Sequence, residues 1–264
     1  MGRPAPLELA LYALCWAAPL SIGAVHPTTQ ILLAGGALGL CAWSALGPQR
    51  ERGLRIPPLA WPILIALAWT ALSLLPLPLG ALRLVSPAAA ELRSELGARW
   101  APLTLDAPAT AQALVRQLAF LGVVLVGADL FRKRPAARAA TALAALGAVV
   151  TISIALHRSL SPESIYLLYV PRSHPGSGFF APFVNGNHAA SLLALCALSA
   201  AGAAVAGGVV VRVVGLVVAT GATMAILATT SRGGVVGLAL GAALLIVHLA
   251  TQHYGRRRGA VLAL

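Results

Sequence analysis

Charge is scarce in this sequence. Asp, Glu, Lys and Arg supply 10% of its 264 residues, and only seven of them are acids, where a soluble domain carries about a quarter. So little charge excludes a water-facing globular surface. Aromatic residues are also few, at 5%, which excludes an aromatic-rich soluble core and leaves Ala, Leu, Val and Gly to make close helix contacts in lipid. The three cysteines, Cys15, Cys41 and Cys196, all fall inside apolar stretches. They show neither metal spacing nor disulfide pairing and read as small hydrophobes. HxxxH, CxxC, GxGxxG and P-loop patterns are missing, so no metal, nucleotide or dinucleotide is implied and no cofactor is expected.

Hydrophobic residues make up 59% of the chain, and the mean hydropathy is +0.86. Runs long enough to cross a bilayer, about 17 to 25 residues each, extend over Leu9–Val25, Thr28–Leu46, Leu59–Leu79, Ala111–Ala128, Ala139–Leu156, Val184–Ala206, Val213–Ala228 and Val235–Ala250. The expectation is an all-α, polytopic transmembrane helical bundle of about eight helices, forming a single membrane domain over 1–264. Arg3 before the first run resembles the start of a cleaved leader, but Glu8 opens the run, Pro19 interrupts it and no small-x-small site follows, so a retained span is expected. His26 and Pro27 alone separate the first two runs, which suggests a tight helical hairpin.

The net charge of +12 would suggest nucleic acid in a soluble protein, but here the basic residues cluster between apolar runs and report orientation instead. With the N-terminus inside, Arg3, Arg50, Arg52, Arg55, Arg132, Lys133, Arg134, Arg138, Arg212, Arg256, Arg257 and Arg258 all fall in the cytoplasm, twelve of nineteen basic residues. Eight crossings return the C-terminus to the same side. The partner implied is the lipid bilayer, the location the inner membrane of a bacterium-like cell, and no nucleic acid is expected.

Two outer segments exceed a simple turn. The first, 80–110, contains Ser86-Pro87 and then Glu91, Leu92, Glu95 and Leu96; the serine reads as a cap and the proline as the first residue of a short interfacial helix. Trp100 fits the aromatic belt of a membrane surface. The second, 158–182, is built of Ser, Pro and Gly turns and carries Arg172 and His174.

Polar side chains at membrane depth are costly, so two clusters stand out: Asn185-Gly186-Asn187-His188 at the head of the sixth run, and Thr229-Thr230-Ser231-Arg232-Gly233-Gly234 before the eighth. Arg212 and Arg232 are one helix apart, about 30 Å of rise, so they mark opposite faces of the bilayer. Both clusters then belong to the outer face, where two helices begin with unpaired N–H groups and the positive end of the helix dipole. Arg232 adds a donor fork suited to phosphate oxygens, and Gly233 and Gly234 leave the backbone approachable. Together they suggest a phosphate or pyrophosphate site. The competing assignment has Arg232 reaching lipid headgroups and Asn185 capping a helix, and sequence leaves both open. His188 suits a general base by its reference pKa, but a structural hydrogen bond is the preferred reading for a lone histidine at a helix start. Arg116, one to two turns inside the fourth run, has an open role.

The stretch Gly178-Phe-Phe-Ala-Pro-Phe-Val-Asn185-Gly-Asn187-His188-Ala-Ala-Ser-Leu-Leu, followed some forty residues later by Thr230-Ser231-Arg232-Gly233-Gly234, resembles the core of the O-antigen ligase and polysaccharide polymerase family. Leu75-Pro-Leu-Pro, Leu84-Val-Ser-Pro87 and Leu103-Thr-Leu-Asp106-Ala-Pro-Ala-Thr110 are similar to an outer loop of some exopolysaccharide-associated members. The resemblance implies a ligase-like core over 183–251. It also implies an inverting, metal-independent membrane glycosyltransferase whose donor is an undecaprenyl-pyrophosphate-linked glycan. Arg232 matches the family arginine thought to bind the carrier pyrophosphate. Ser231, Gly233, Asn185, Asn187, His188 and Arg172 complete the candidate substrate-binding set. Members continue into a periplasmic loop bearing a second arginine and a histidine proposed as catalytic base; neither has a counterpart in this sequence, so no catalytic residue is assigned. An N-terminal portion, one half working with a separately encoded C-terminal half, and a non-catalytic member all fit that departure. The competing functions are a transporter or flippase of lipid-linked glycans, and a scaffold that binds other polysaccharide assembly proteins.

Overall fold

Lipid offers no hydrogen bonds, so apolar runs in a membrane must satisfy their own backbone, and helices do so. A computed structural model describes residues 5–46, 56–132, 137–160, 163–166, 168–171 and 179–262, with backbone only from 252 onward. The described residues form ten α-helices and one short two-stranded ribbon. All eight apolar runs are helical: α1 (Pro6–Leu20), α2 (Pro27–Leu46), α3 (Ala60–Leu74), α6 (Ala107–Arg132), α7 (Ala137–Leu160), α8 (Gly186–Ala206), α9 (Val209–Ala228) and α10 (Arg232–Leu262). Between α3 and α6 lie β1 (Pro76–Pro78), α4 (Leu79–Val85), α5 (Pro87–Glu95) and β2 (Trp100–Pro102).

Six helices, α2 and α6 through α10, are long and apolar enough to cross a bilayer. The chain is an all-α, multi-pass membrane protein. The apolar helices α1 and α3 have only 15 residues each, a rise of about 22 Å against a hydrocarbon thickness of about 30 Å. The eight expected spans therefore divide into six of full length and two short ones.

The chain forms two compact units, one of Met1–Ala18 with Ala24–Arg134 and one of Pro19–Gly23 with Pro135–Leu264. In the first, Arg116 meets Gln30 and Asp129 meets Ser44. Matching ends of α2 and α6 are thereby joined, so these helices run parallel. Gln117 near the start of α6 bonds Thr70 near the end of α3, which makes α3 antiparallel to α6. Leu11 packs with Leu40, Val126 and Leu130, setting the first half of α1 against the last halves of α2 and α6. Short as they are, α1 and α3 carry the chain between the same two ends.

Two local expectations need correction. Helix α3 does not run on to Leu79: Pro76 and Pro78 lack the N–H a helix interior needs, and the chain extends instead as β1, pairing antiparallel with β2 through Leu77 opposite Ala101. The 80–110 segment is thus a helical hairpin, α4 and α5, closed by a ribbon over Leu82, Ala90 and Ala101. Ser86 precedes α5, with Pro87 in its first turn, but the serine side chain makes no capping bond. The α1–α2 link is also longer than His26 and Pro27. The helix stops at Leu20, and Ile22, Gly23 and Ala24 all adopt positive φ in a 3-10 turn.

In the second unit α8 is the central helix. A Cβ built on Gly147 of α7 would lie 2.6 Å from the Cβ of Cys196, and one on Gly215 of α9 would lie 2.7 Å from the Ala200 carbonyl oxygen. One on Gly234 of α10 would lie 2.5 Å from the Cβ of Ala190. Backbone-distance approach of this kind supplies the van der Waals contact that holds helices together in lipid. Gly215→Val is expected to cost about 1–3 kcal/mol through overpacking and to lower the melting temperature in detergent. Gly202→Val, where a Cβ meets nothing within 4 Å, should leave it nearly unchanged.

Candidate functional site

Successive helices of the second unit alternate in direction, so the end of α7, the start of α8, the end of α9 and the start of α10 gather at one end. The chain entering α8 is unusually apolar for a loop. Phe179, Phe180, Ala181, Pro182 and Phe183 are all buried, and Ile165, Phe179 and Ala181 form a small core with Ile22, Tyr169 and Val184. Gly23, at φ 63°, lies against the Phe183 ring. The Tyr166 hydroxyl donates to the Leu20 carbonyl at 2.8 Å, and burial raises its pKa, so the phenol remains a neutral donor.

The two polar clusters meet here. A Cβ on Gly186 would touch the Phe180 ring at 3.3 Å and the Thr229 Cβ at 3.4 Å, so the first residue of α8 rests against the residue that ends α9. Gly234, in the first turn of α10, approaches Ala190 of α8 at backbone distance. The starts of α8 and α10 therefore stand side by side and point the same way.

The candidate residues divide by what already occupies them. Asn185 caps α8: its Oδ1 accepts the Asn187 N–H at 2.8 Å, and its carbonyl accepts from His188 and Ala189. Ser231 caps α10: its Oγ accepts the Gly234 N–H at 3.1 Å, while its own N–H donates to Thr229 Oγ1 at 3.2 Å. Thr230, at φ 55°, turns the chain between those bonds. Asn187, His188, Arg232 and Gly233 are exposed at this end, and the space beside Gly233 is open. Gly234 instead serves helix packing. Arg172 and His174 lie outside the described residues.

Sequence spacing missed Arg158. Its guanidinium lies 5.2 Å from the centroid of the Phe180 ring, a cation–π contact, and that same ring packs on Gly186. The signal in the sequence is only an arginine in the last turn of one helix and a Phe-Phe pair some twenty residues on, joined by no spacing rule. Its neighbour His157 is buried, and its Nε2 has no partner among the described residues.

Among the described residues neither Arg158 nor Arg232 is ion-paired, and no three His, Cys, Asp or Glu side chains gather as a metal set. Two exposed guanidiniums and two helix starts make this end electropositive. Phosphate oxygens suit such an arrangement. Replacing Asn185 separates its capping role from any effect of charge. Asn185→Ala should cost about 1 kcal/mol through the lost cap. Asn185→Asp should keep the melting temperature while weakening phosphate binding, because it retains the acceptor and adds a negative charge. No family model, curated protein or solved structure matches the chain.

Proposed function

We propose that the chain binds the diphosphate of an undecaprenyl-linked glycan at the outer face of a bacterial inner membrane, acting in surface polysaccharide assembly as an O-antigen ligase-like glycosyltransferase or part of one. The observation that carries the reading is the side-by-side start of α8 and α10, fixed by the Gly186–Thr229 and Gly234–Ala190 contacts, with Arg232 exposed on the first residue of α10.

The physical case is one of charge. A diphosphate diester brings two negative charges to a membrane surface. It is stabilised there by fixed partial charges that need no rearrangement: the unpaired N–H groups of two helix starts and a planar guanidinium that can donate two parallel bonds. Ser231 is buried and the Asn185 oxygen is taken up by its cap, so Arg232, the Asn185 side-chain NH2 and the backbone near Gly233 are the groups left to hold the ligand. Asn187 and His188 are placed to meet the first sugar. The long prenyl chain requires a lateral approach from lipid, which the exposed apolar sides of α9 and α10 allow. Ionisable groups of this unit lie toward helix ends rather than at mid-helix, which favours headgroup binding over passage through the bilayer.

Purified protein titrated with undecaprenyl pyrophosphate should bind it, and Arg232→Ala should weaken binding by about tenfold or more, the worth of one charge-assisted contact. Arg212→Ala, at the other end of α9, should leave affinity unchanged. Equal affinity in wild type and Arg232→Ala would remove the anion site.

A further inference from the structure

The first unit holds a guanidinium that the site above does not use. Arg116 is exposed and makes a single hydrogen bond among the described residues, from Nη1 to Gln30 Oε1 at 3.3 Å. Gln30 is itself fixed, because its Nε2 donates to the Ala24 carbonyl at 2.9 Å. Beside them Gln117 Nε2 donates to Thr70 Oγ1 at 3.0 Å, while Gln117 Oε1 is buried without a partner among the described residues. Gln30, Thr70, Arg116 and Gln117 thus form one polar layer across α2, α3 and α6.

A second polar layer lies toward the other end, where the Ser44 hydroxyl donates to Asp129 Oδ2 at 3.3 Å and Arg132 pairs with Asp129 Oδ1 at 3.1 Å. The separation of the layers follows from helix rise. From Gln30 to Ser44 along α2 is about 21 Å, and from Arg116 to Asp129 along α6 about 20 Å. A bilayer's hydrocarbon is about 30 Å thick. Two polar layers so close cannot both lie at its edges unless the bilayer thins locally. Arg116 lies nine residues inside α6, about 14 Å of rise from its start; with one neutral partner and most of its five N–H donors unused, its guanidinium is open to a counter-anion. The neighbouring acids do not supply it, since the only ion pair among the described residues is Arg132–Asp129.

We propose that Arg116, positioned by Gln30, is a lateral binding site for the phosphate of a membrane lipid, drawn below the headgroup plane on the α2–α6 face of the first unit. The ligand class is an anionic phosphate lipid, either a glycerophospholipid or a polyprenyl phosphate. This site is separate from the one at Arg232 and does not depend on it.

The test uses full-length protein carrying Arg232→Ala, so that binding at the second unit's site is weakened in every variant alike. Native mass spectrometry then measures binding of phosphatidylglycerol and of undecaprenyl phosphate in separate titrations. A one-to-one complex with at least one of them is expected, weakened about tenfold by Arg116→Gln and largely retained by Arg116→Lys. The lipid that responds identifies the source of the phosphate. Unchanged binding of both lipids by Arg116→Gln, or no one-to-one complex with either, would overturn the site. If Arg116→Gln does not fold, diacylglycerol decides against protein with native Arg116: this lipid has no phosphate, so equal retention contradicts the proposal and preferential retention of the phosphate lipids supports it.

Discussion

The second unit depends on three helices coming within backbone distance of a fourth. Gly147, Gly215 and Gly234 each face α8 where a single added carbon would collide with a Cβ or backbone atom. Lipid tails are as apolar as the side chains they would replace, so burial of hydrocarbon drives such association weakly and contact area must do the work. Glycine on α7, α9 and α10 lets three neighbours lie flush against the Ala-rich surface of α8. The same packing sets the candidate site, because the Gly234–Ala190 contact is what places the start of α10 beside the start of α8. Helix association and the geometry of the candidate site thus share one residue.

Elements set by long-range composition were legible in the sequence. All eight apolar runs became helices, since nothing but a helix satisfies the backbone of such a run in lipid. Misjudgements fell where a few residues outweigh composition. Pro76 and Pro78 end α3 five residues early and begin a ribbon whose partner, Trp100–Pro102, lies more than twenty residues away, and no local pattern announces that pairing. The turn of three positive-φ residues after α1 contains Ile22 and Ala24, side chains that give no warning of it.

The candidate site was legible as composition but not as a division of labour. Two polar clusters at helix starts can be read from spacing, and the structure brings them together. What sequence could not separate is a side chain that binds a ligand from one that closes a helix. Asn185 and Ser231 are the polar residues nearest the two starts, and both turn their oxygens back onto their own helices. By satisfying those N–H groups they hold the remaining ones in place, so their oxygens shape the electropositive end rather than contact a ligand. Arg158 shows the opposite case. Its position next to α8 arises from the Phe180 ring, a relation through the fold that no motif encodes.

The central claim is that the starts of α8 and α10 open to the outer face of the membrane and accept a diphosphate there. Gly233 is the position to probe, being exposed with open space beside it. The decisive measurement is labelling of Gly233→Cys by a membrane-impermeant maleimide in intact spheroplasts. The account predicts rapid labelling from outside and protection when undecaprenyl pyrophosphate is supplied to the purified protein. Labelling only after the membrane is permeabilised, or labelling that the diphosphate lipid does not slow, would contradict it.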